Sequence, residues 1–194
     1  MLIDAGLKDV FSMEGGILAW NGLVASGPPE AGMAYFSSDE RPEKLIALAW
    51  ALEEGSRRFY AGVAKTIQDG EAVSLFQGLV SAEEHHKTTL LQLYRKIAEG
   101  EYKLKTPESL VSDKSAGEIM EGGMRVDEAL AWTGGKNIAD ILDLSIALES
   151  NAFDLYIKME RATGDDHSKQ VFHALSEEER QHLNRMTSLI EKKV

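Results

Sequence analysis

The feature that most constrains this chain is an internal repeat that needs no gap. Ala51-Leu52-Glu53 recurs 96 positions later as Ala147-Leu148-Glu149, and the same offset pairs Tyr60 with Tyr156, Phe76 with Phe172, Leu79 with Leu175, Glu83 with Glu179 and His86 with His182. Apolar positions follow it as well, as in Leu45 with Ile141, Leu48 with Leu144 and Leu90 with Met186. Two copies are too few for a solenoid, which needs about three or more units to bury a continuous core. The repeat describes a duplicated helical hairpin.

Proline agrees with this. Pro28, Pro29, Pro42 and Pro107 are the only prolines, so long helices are permitted both between and after the last two. The apolar stripe Leu45, Ala49, Leu52, Ser56, Phe59, Val63 has helical period and predicts a first helix starting near Ser38–Pro42 and ending at Asp69-Gly70. A second helix is expected over about 71–98, a third over 137–161 and a fourth over 166–192, with a long connection over 100–136. That connection has room for short helices near Ser115–Met120 and Val126–Trp132. The expected architecture is all-α: a four-helix bundle over residues 38–194, preceded by a short non-bundle arm over residues 1–37.

Glu53, Glu83 and His86 interrupt the apolar stripes, and so do Glu149, Glu179 and His182. A buried carboxylate without a partner is costly. Their depths also coincide. Glu53 lies 16 residues before Asp69, or about 24 Å along a helix at ~1.5 Å per residue, and Glu83 and His86 lie 14 and 17 residues after it. The second hairpin repeats the count, so one layer collects four glutamates and two histidines. Glu83-x-x-His86 and Glu179-x-x-His182 each put both side chains on one helical face. Glu-x-x-His on two helices with a Glu from each of two others is a known di-iron and di-manganese carboxylate pattern. The metal ligands expected here are Glu53, Glu83, His86, Glu149, Glu179 and His182. Four carboxylates would neutralise two divalent ions, and oxygen and imidazole donors suit iron or manganese and tolerate zinc.

Composition narrows the rest. There is no cysteine, which excludes disulfides, thiol catalysis and Cys-ligated zinc or iron–sulfur centres. The net charge of −11 and the lack of a basic face exclude nucleic acid as the main partner. No apolar run is long enough for a membrane span, and the N-terminus has no secretory pattern, so a cytoplasmic protein is expected.

With these residues in place, residues 38–194 resemble the rubrerythrin-like branch of the ferritin-like superfamily. The resemblance rests on Ala51-Leu52-Glu53, Glu83-x-x-His86, Ala147-Leu148-Glu149, Glu179-x-x-His182 and the long connection. It implies a ferritin-like antiparallel bundle with a full-length crossover, two iron ions, and a peroxidase-type oxidoreductase that reduces hydrogen peroxide to water under oxidative stress. The implied partners are hydrogen peroxide or dioxygen and an electron-transfer protein. That donor must be external, since rubrerythrins usually carry a Cys-ligated iron module and this chain has no Cys. The competing readings are a ferritin-like iron-binding or iron-oxidising protein without peroxidase turnover, and a metal-stabilised interaction module. Many rubrerythrins also carry a glutamate three residues after the third-helix ligand. Here that position is Ala152, so His86 is expected to stay bound in both oxidation states.

Residues 8–20 resemble the C-terminal end of a rhodanese module, without the part that would carry its reactive cysteine. The apolar residues of this arm, among them Ile3, Phe11, Leu18 and Trp20, are expected to pack on the bundle or on a second subunit of a homodimer. Tyr60 and Tyr156 lie two turns beyond Glu53 and Glu149 and share the ligand face, as hydrogen-bonding or redox candidates. Glu54, Glu84 and His85 are expected to face solvent, His167 and His173 to have no metal role, and Glu177-Glu178-Glu179 to be a solvated run with one inward member.

Overall fold

The computed structural model describes residues 41–110 and 118–193. The N-terminal arm, residues 1–37, with its resemblance to a rhodanese end, lies outside the described residues. Four long helices build the bundle: α1 over Pro42–Thr66, α2 over Gly70–Ile97, α5 over Ile138–Ala162 and α6 over Asp166–Lys193. Between α2 and α5 lie the short α3, Pro107–Leu110, and α4, Val126–Thr133.

Local chemistry sets most of the helix ends. Pro42 opens α1, where its missing N–H costs nothing. Asp69 caps α2 by accepting from the Ala72 N–H at 3.0 Å, and Asn137 caps α5 through the Asp140 N–H at 2.8 Å. Asp165 accepts from the Ser168 N–H at 2.7 Å at the start of α6. The first helix stops at Thr66 rather than at Asp69-Gly70, because Asp69 belongs to the next helix as its cap.

Cross-helix contacts give the topology. Tyr60 reaches Glu149 and Tyr156 reaches Glu53, so α1 and α5 run antiparallel. Lys193 at the end of α6 bonds Asp69 in the α1–α2 turn at 2.7 Å. The third helix therefore begins at the end of the bundle where α1 finishes, and the connection after α2 travels the full length to reach it. Within it, Ile119 pairs with Arg125 in an antiparallel bridge, so the helix expected near Ser115–Met120 does not reach these residues. Gly122 and Gly123 take φ of 79° and 77°, a left-handed turn that a helix cannot pass through.

The core falls into two apolar halves. One contains Phe59, Val63, Leu75, Phe76, Leu79, Ile141, Leu144 and Met186; the other contains Ile46, Leu52, Leu90, Leu93, Leu155, Phe172 and Leu175. Between them, on all four long helices, lie the charged members of the repeat.

Candidate metal centre

All six residues singled out from the sequence meet in that middle layer and all are buried, none more than 5% exposed. Ligand-capable atoms of Glu53, Glu83, His86 and Glu179 lie within 4.8 Å of one another, and so do those of Glu83, Glu149 and His182. Glu83 belongs to both groups. Glu179 also faces both, since its two oxygens lie 3.0 Å from His86 Nδ1 and 3.1 Å from His182 Nδ1.

The surroundings of His86 Nδ1 show what this layer suits. Carboxylate oxygens of Glu53, Glu83 and Glu179 stand 3.3, 3.4 and 3.0 Å from it. A ring nitrogen can donate one proton to one of these; a cation among them would satisfy all of them. His182 Nδ1 lies 3.1 Å from both Glu149 and Glu179. The two imidazoles stack with centroids 5.5 Å apart. Oxygen donors with imidazole suit iron or manganese and accept zinc. Glu179 Oε1 is one of two buried side-chain polar atoms without an aligned hydrogen bond among the described residues, although His86 Nδ1 lies 3.0 Å away, so a cation between the two would satisfy both.

In the metal-free layer, protons do what cations would. Burial and the neighbouring Glu149 charge push Glu179 up to about 8. Glu83 is raised well above the carboxylate range by burial and by Glu53. Burial alone would raise Glu149 too, but hydrogen bonds with Glu179, His182 and Tyr60 outweigh it and hold it at about 2. Glu53 is lowered in the same way by Glu83, His86 and Tyr156, against its burial. Burial would lower His182, yet its bonds and charge interactions with Glu149 and Glu179 raise it to about 9, and His86 is raised well above its ordinary value by Glu53, Glu179 and Glu178. At neutral pH Glu149 is ionised while Glu179 and His182 hold their protons, and Glu83 and His86 are shifted toward their protonated forms. Protons thus take over charge that divalent ions would bring.

The outer ring of contacts is built across the hairpins. Tyr60 on α1 donates to Glu149 Oε1 on α5 at 2.5 Å, and Tyr156 on α5 donates to Glu53 on α1. Burial and the nearby carboxylates push both phenols up, so they remain neutral donors. His86 Nε2 lies 3.1 Å from Glu178 Oε2. Glu178 was expected to be solvated; it is partly exposed, but its carboxylate crosses to α2 and can fix the tautomer and orientation of His86. Glu84 and His85 face solvent as expected, His167 and His173 are exposed, and Glu54, expected to face solvent, is instead mostly covered, in ion pairs with Arg57 and Lys87.

Besides Glu178, one further residue escaped the sequence pattern. Glu121, in the crossover, is 4% exposed and accepts from the Ser56 hydroxyl. Nothing in the repeat points to it. The signals available were Gly122-Gly123, which mark a tight turn, and Gly55, an unexpected glycine within a long helix.

The Rubrerythrin family model matches residues 140–193, which takes in most of α5, all of α6, and with them Glu149, Glu179 and His182. No curated protein matches the chain. Among solved structures, a hypothetical protein from Pyrococcus furiosus superposes with a TM-score of 0.60 at 24% identity, over 82% of this chain and 91% of that one. That likeness shows the fold: an all-α helical bundle. The second hairpin is thus similar to rubrerythrin, and the 96-residue repeat gives the first hairpin the same donor types at matching positions. No helix among the described residues is long and apolar enough to cross a membrane.

Proposed function

We propose that this protein is a rubrerythrin-like non-haem di-iron oxidoreductase that reduces hydrogen peroxide to water with electrons from an external donor. The observation that carries the reading is the buried layer itself. Glu53, Glu83, His86 and Glu179 face one position, Glu83, Glu149 and His182 face a second, and Glu83 and Glu179 stand between the two.

Two irons held there would each give up one electron, together the two electrons that, with two protons, convert hydrogen peroxide to two waters. The chain's own residues supply the conditions. Glu53 and Glu149 hold one position each and the shared carboxylates keep the positions adjacent. Tyr60 and Tyr156 hold one oxygen of Glu149 and of Glu53, leaving the other oxygen of each turned toward a histidine. Glu178 aligns His86. The two apolar halves keep bulk water from the layer, which strengthens its electrostatics. The donor is external because the chain has no cysteine for an iron module of its own. A cytoplasmic homodimer fits the reading.

The runner-up is a ferritin-like protein that binds or oxidises iron without peroxidase turnover. Steady-state peroxide consumption by iron-loaded protein with a supplied reductant separates the two. Sustained turnover, lost in Glu149→Ala, supports the peroxidase. Iron oxidation that stops after one equivalent of peroxide per pair supports the alternative.

A further inference from the structure

Glu121 does not belong to the repeat, yet the fold goes to some length to bury it. The chain around it is pinned by three backbone bonds: Met120 N–H to Met124 O at 2.8 Å, Val126 N–H to Glu118 O at 2.9 Å and Gly123 N–H to Met120 O at 3.0 Å. Gly55 admits this loop against α1, for a Cβ there would meet the Ile119 carbonyl oxygen at 2.1 Å. On the other side, a Cβ on Gly122 would meet Asn151 Nδ2 of α5 at 2.6 Å. Gly55 and Asn151 are matching positions of the repeat, so the loop sits between α1 and α5, within a turn of Glu53 and Glu149.

There the Ser56 hydroxyl donates to one oxygen of the Glu121 carboxylate. Its other oxygen, Oε1, is buried with no hydrogen-bond partner. Among the described residues only Glu179 Oε1 shares that condition, and Glu179 lies inside the candidate centre. Burial and the carboxylates of Glu53 and Glu179 push Glu121 well above the usual carboxylate range, and its charge, when ionised beside a cation, reaches Tyr60 and Tyr156. Glu121 is not within either 4.8 Å group, so it stands beside the position formed by Glu53, Glu83, His86 and Glu179 rather than among its donors.

Charge arithmetic gives it a role. Four carboxylates neutralise two divalent ions but leave two trivalent ions with an excess of two positive charges. A fifth carboxylate in a low-dielectric site removes half of that excess, and in the reduced pair it adds an unneeded negative charge. We infer that Glu121 is a fifth acidic group of the metal centre, carried in by the crossover, whose charge favours the oxidised over the reduced metal pair. It acts through the field at the ions and is a positioning residue, not a catalytic one. The asymmetry follows from sequence: Ser56 is its anchor, and the matching position is Ala152.

The inference rests on the di-iron reading, and its test keeps the two apart. Wild type, Glu121→Gln and Glu121→Asp are loaded with iron, their iron content is measured, and the centre is titrated against redox mediators while its absorption is followed. Gln keeps the shape and the Ser56 bond without the charge; Asp keeps the charge on a shorter stem. All three are expected to hold equal iron. Glu121→Gln is expected to shift the oxidised-to-reduced ratio at fixed poise toward reduced about tenfold, or ~59 mV for a one-electron couple, with Glu121→Asp close to wild type. Equal midpoints in wild type and Glu121→Gln overturn the inference and leave the di-iron reading standing. A wild type that binds no iron overturns both. If Glu121→Gln fails to fold, Ser56→Ala, which frees the carboxylate from its anchor, must move the midpoint in either direction; an unmoved midpoint overturns the inference.

Discussion

The two hairpins carry the same donor types at matching positions but differ in what surrounds them. His86 faces three carboxylates at Nδ1 and Glu178 at Nε2, whereas His182 faces two at Nδ1. The position that matches Glu178 is Ala82, which has no carboxylate to offer. Ser56 anchors Glu121 beside the first hairpin, and Ala152 stands at the equivalent place in the second. The inner donors are thus near-symmetric, and differences on α6 and in the crossover make their surroundings unequal. An inner ligand tolerates little change because charge balance and geometry depend on it; its supports can diverge.

The largest effects should come from the donors themselves. Glu83→Ala and Glu179→Ala each remove a carboxylate that faces both positions, and are expected to lose both ions. Glu53→Ala and Glu149→Ala each touch one position and are expected to lose about one, all four variants ending peroxide turnover. Each removes a buried carboxyl group that is costly to bury without a cation, so helical content by circular dichroism should hold. Full metal content and wild-type turnover in Glu53→Ala would break the equivalence of the hairpins.

Next in size is the pH dependence of the metal-free protein. Glu179 goes from an ordinary 4.5 to about 8 on folding and His182 from 6.5 to about 9, so the folded state binds more protons than the unfolded one between roughly pH 4.5 and 9. The His182 contribution is fully present below 6.5 and is lost as pH rises through 9. The Glu179 shift becomes a cost as pH rises above 4.5. Glu149, held at about 2, stabilises above 4.5 and loses that below. Melting temperature without metal should therefore fall from pH 5 to pH 9, by on the order of a few kcal/mol in stability. Metal binding runs the other way: it must displace the protons held by Glu179 and His182, so affinity should rise with pH and calorimetry in two buffers should detect proton release. A metal-free protein that grows more stable toward pH 9 would contradict the protonation pattern.

Glu178→Gln tests the asymmetry directly. It should weaken one of the two ions by roughly 10–100-fold and leave the other, since outer partners of metal-bound histidines are worth about that much. Competition with a chelator would show two unequal release steps; two equal steps would mean that Glu178 does not distinguish the hairpins.

The smallest effect belongs to the tyrosines. Tyr60→Phe and Tyr156→Phe each delete one hydrogen bond to a buried carboxylate, about 1.5–3 kcal/mol at most and the same in both by the repeat. Chemical denaturation of the two variants should give matching losses. A large drop in turnover for only one of them would assign that phenol a redox role.

Much of this was legible because periodicity and spacing reach every residue on a long helix. Glu53, Glu83 and His86 break an apolar stripe, and counting from the turn puts them level. What was hidden lies where no period applies. Glu121 sits in a connection with no partner in the repeat, and only the packing of that loop on Gly55 brings it inward. Glu178 is one position off the inward face of α6, and its reach to His86 depends on how α2 and α6 approach each other. The Ser115–Met120 stretch carries apolar residues at helical spacing, but the two glycines after Glu121 turn the chain back into a bridge.

The account stands on one buried layer serving two ions. The direct measurement is the metal-to-protein ratio of protein produced in iron-rich medium, compared with the Glu83→Ala variant made in the same way. About two metal ions per chain in the wild type, falling below one in the variant, is the predicted result. Wild-type protein with no iron, manganese or zinc above trace, or a variant that keeps the full complement, would contradict it.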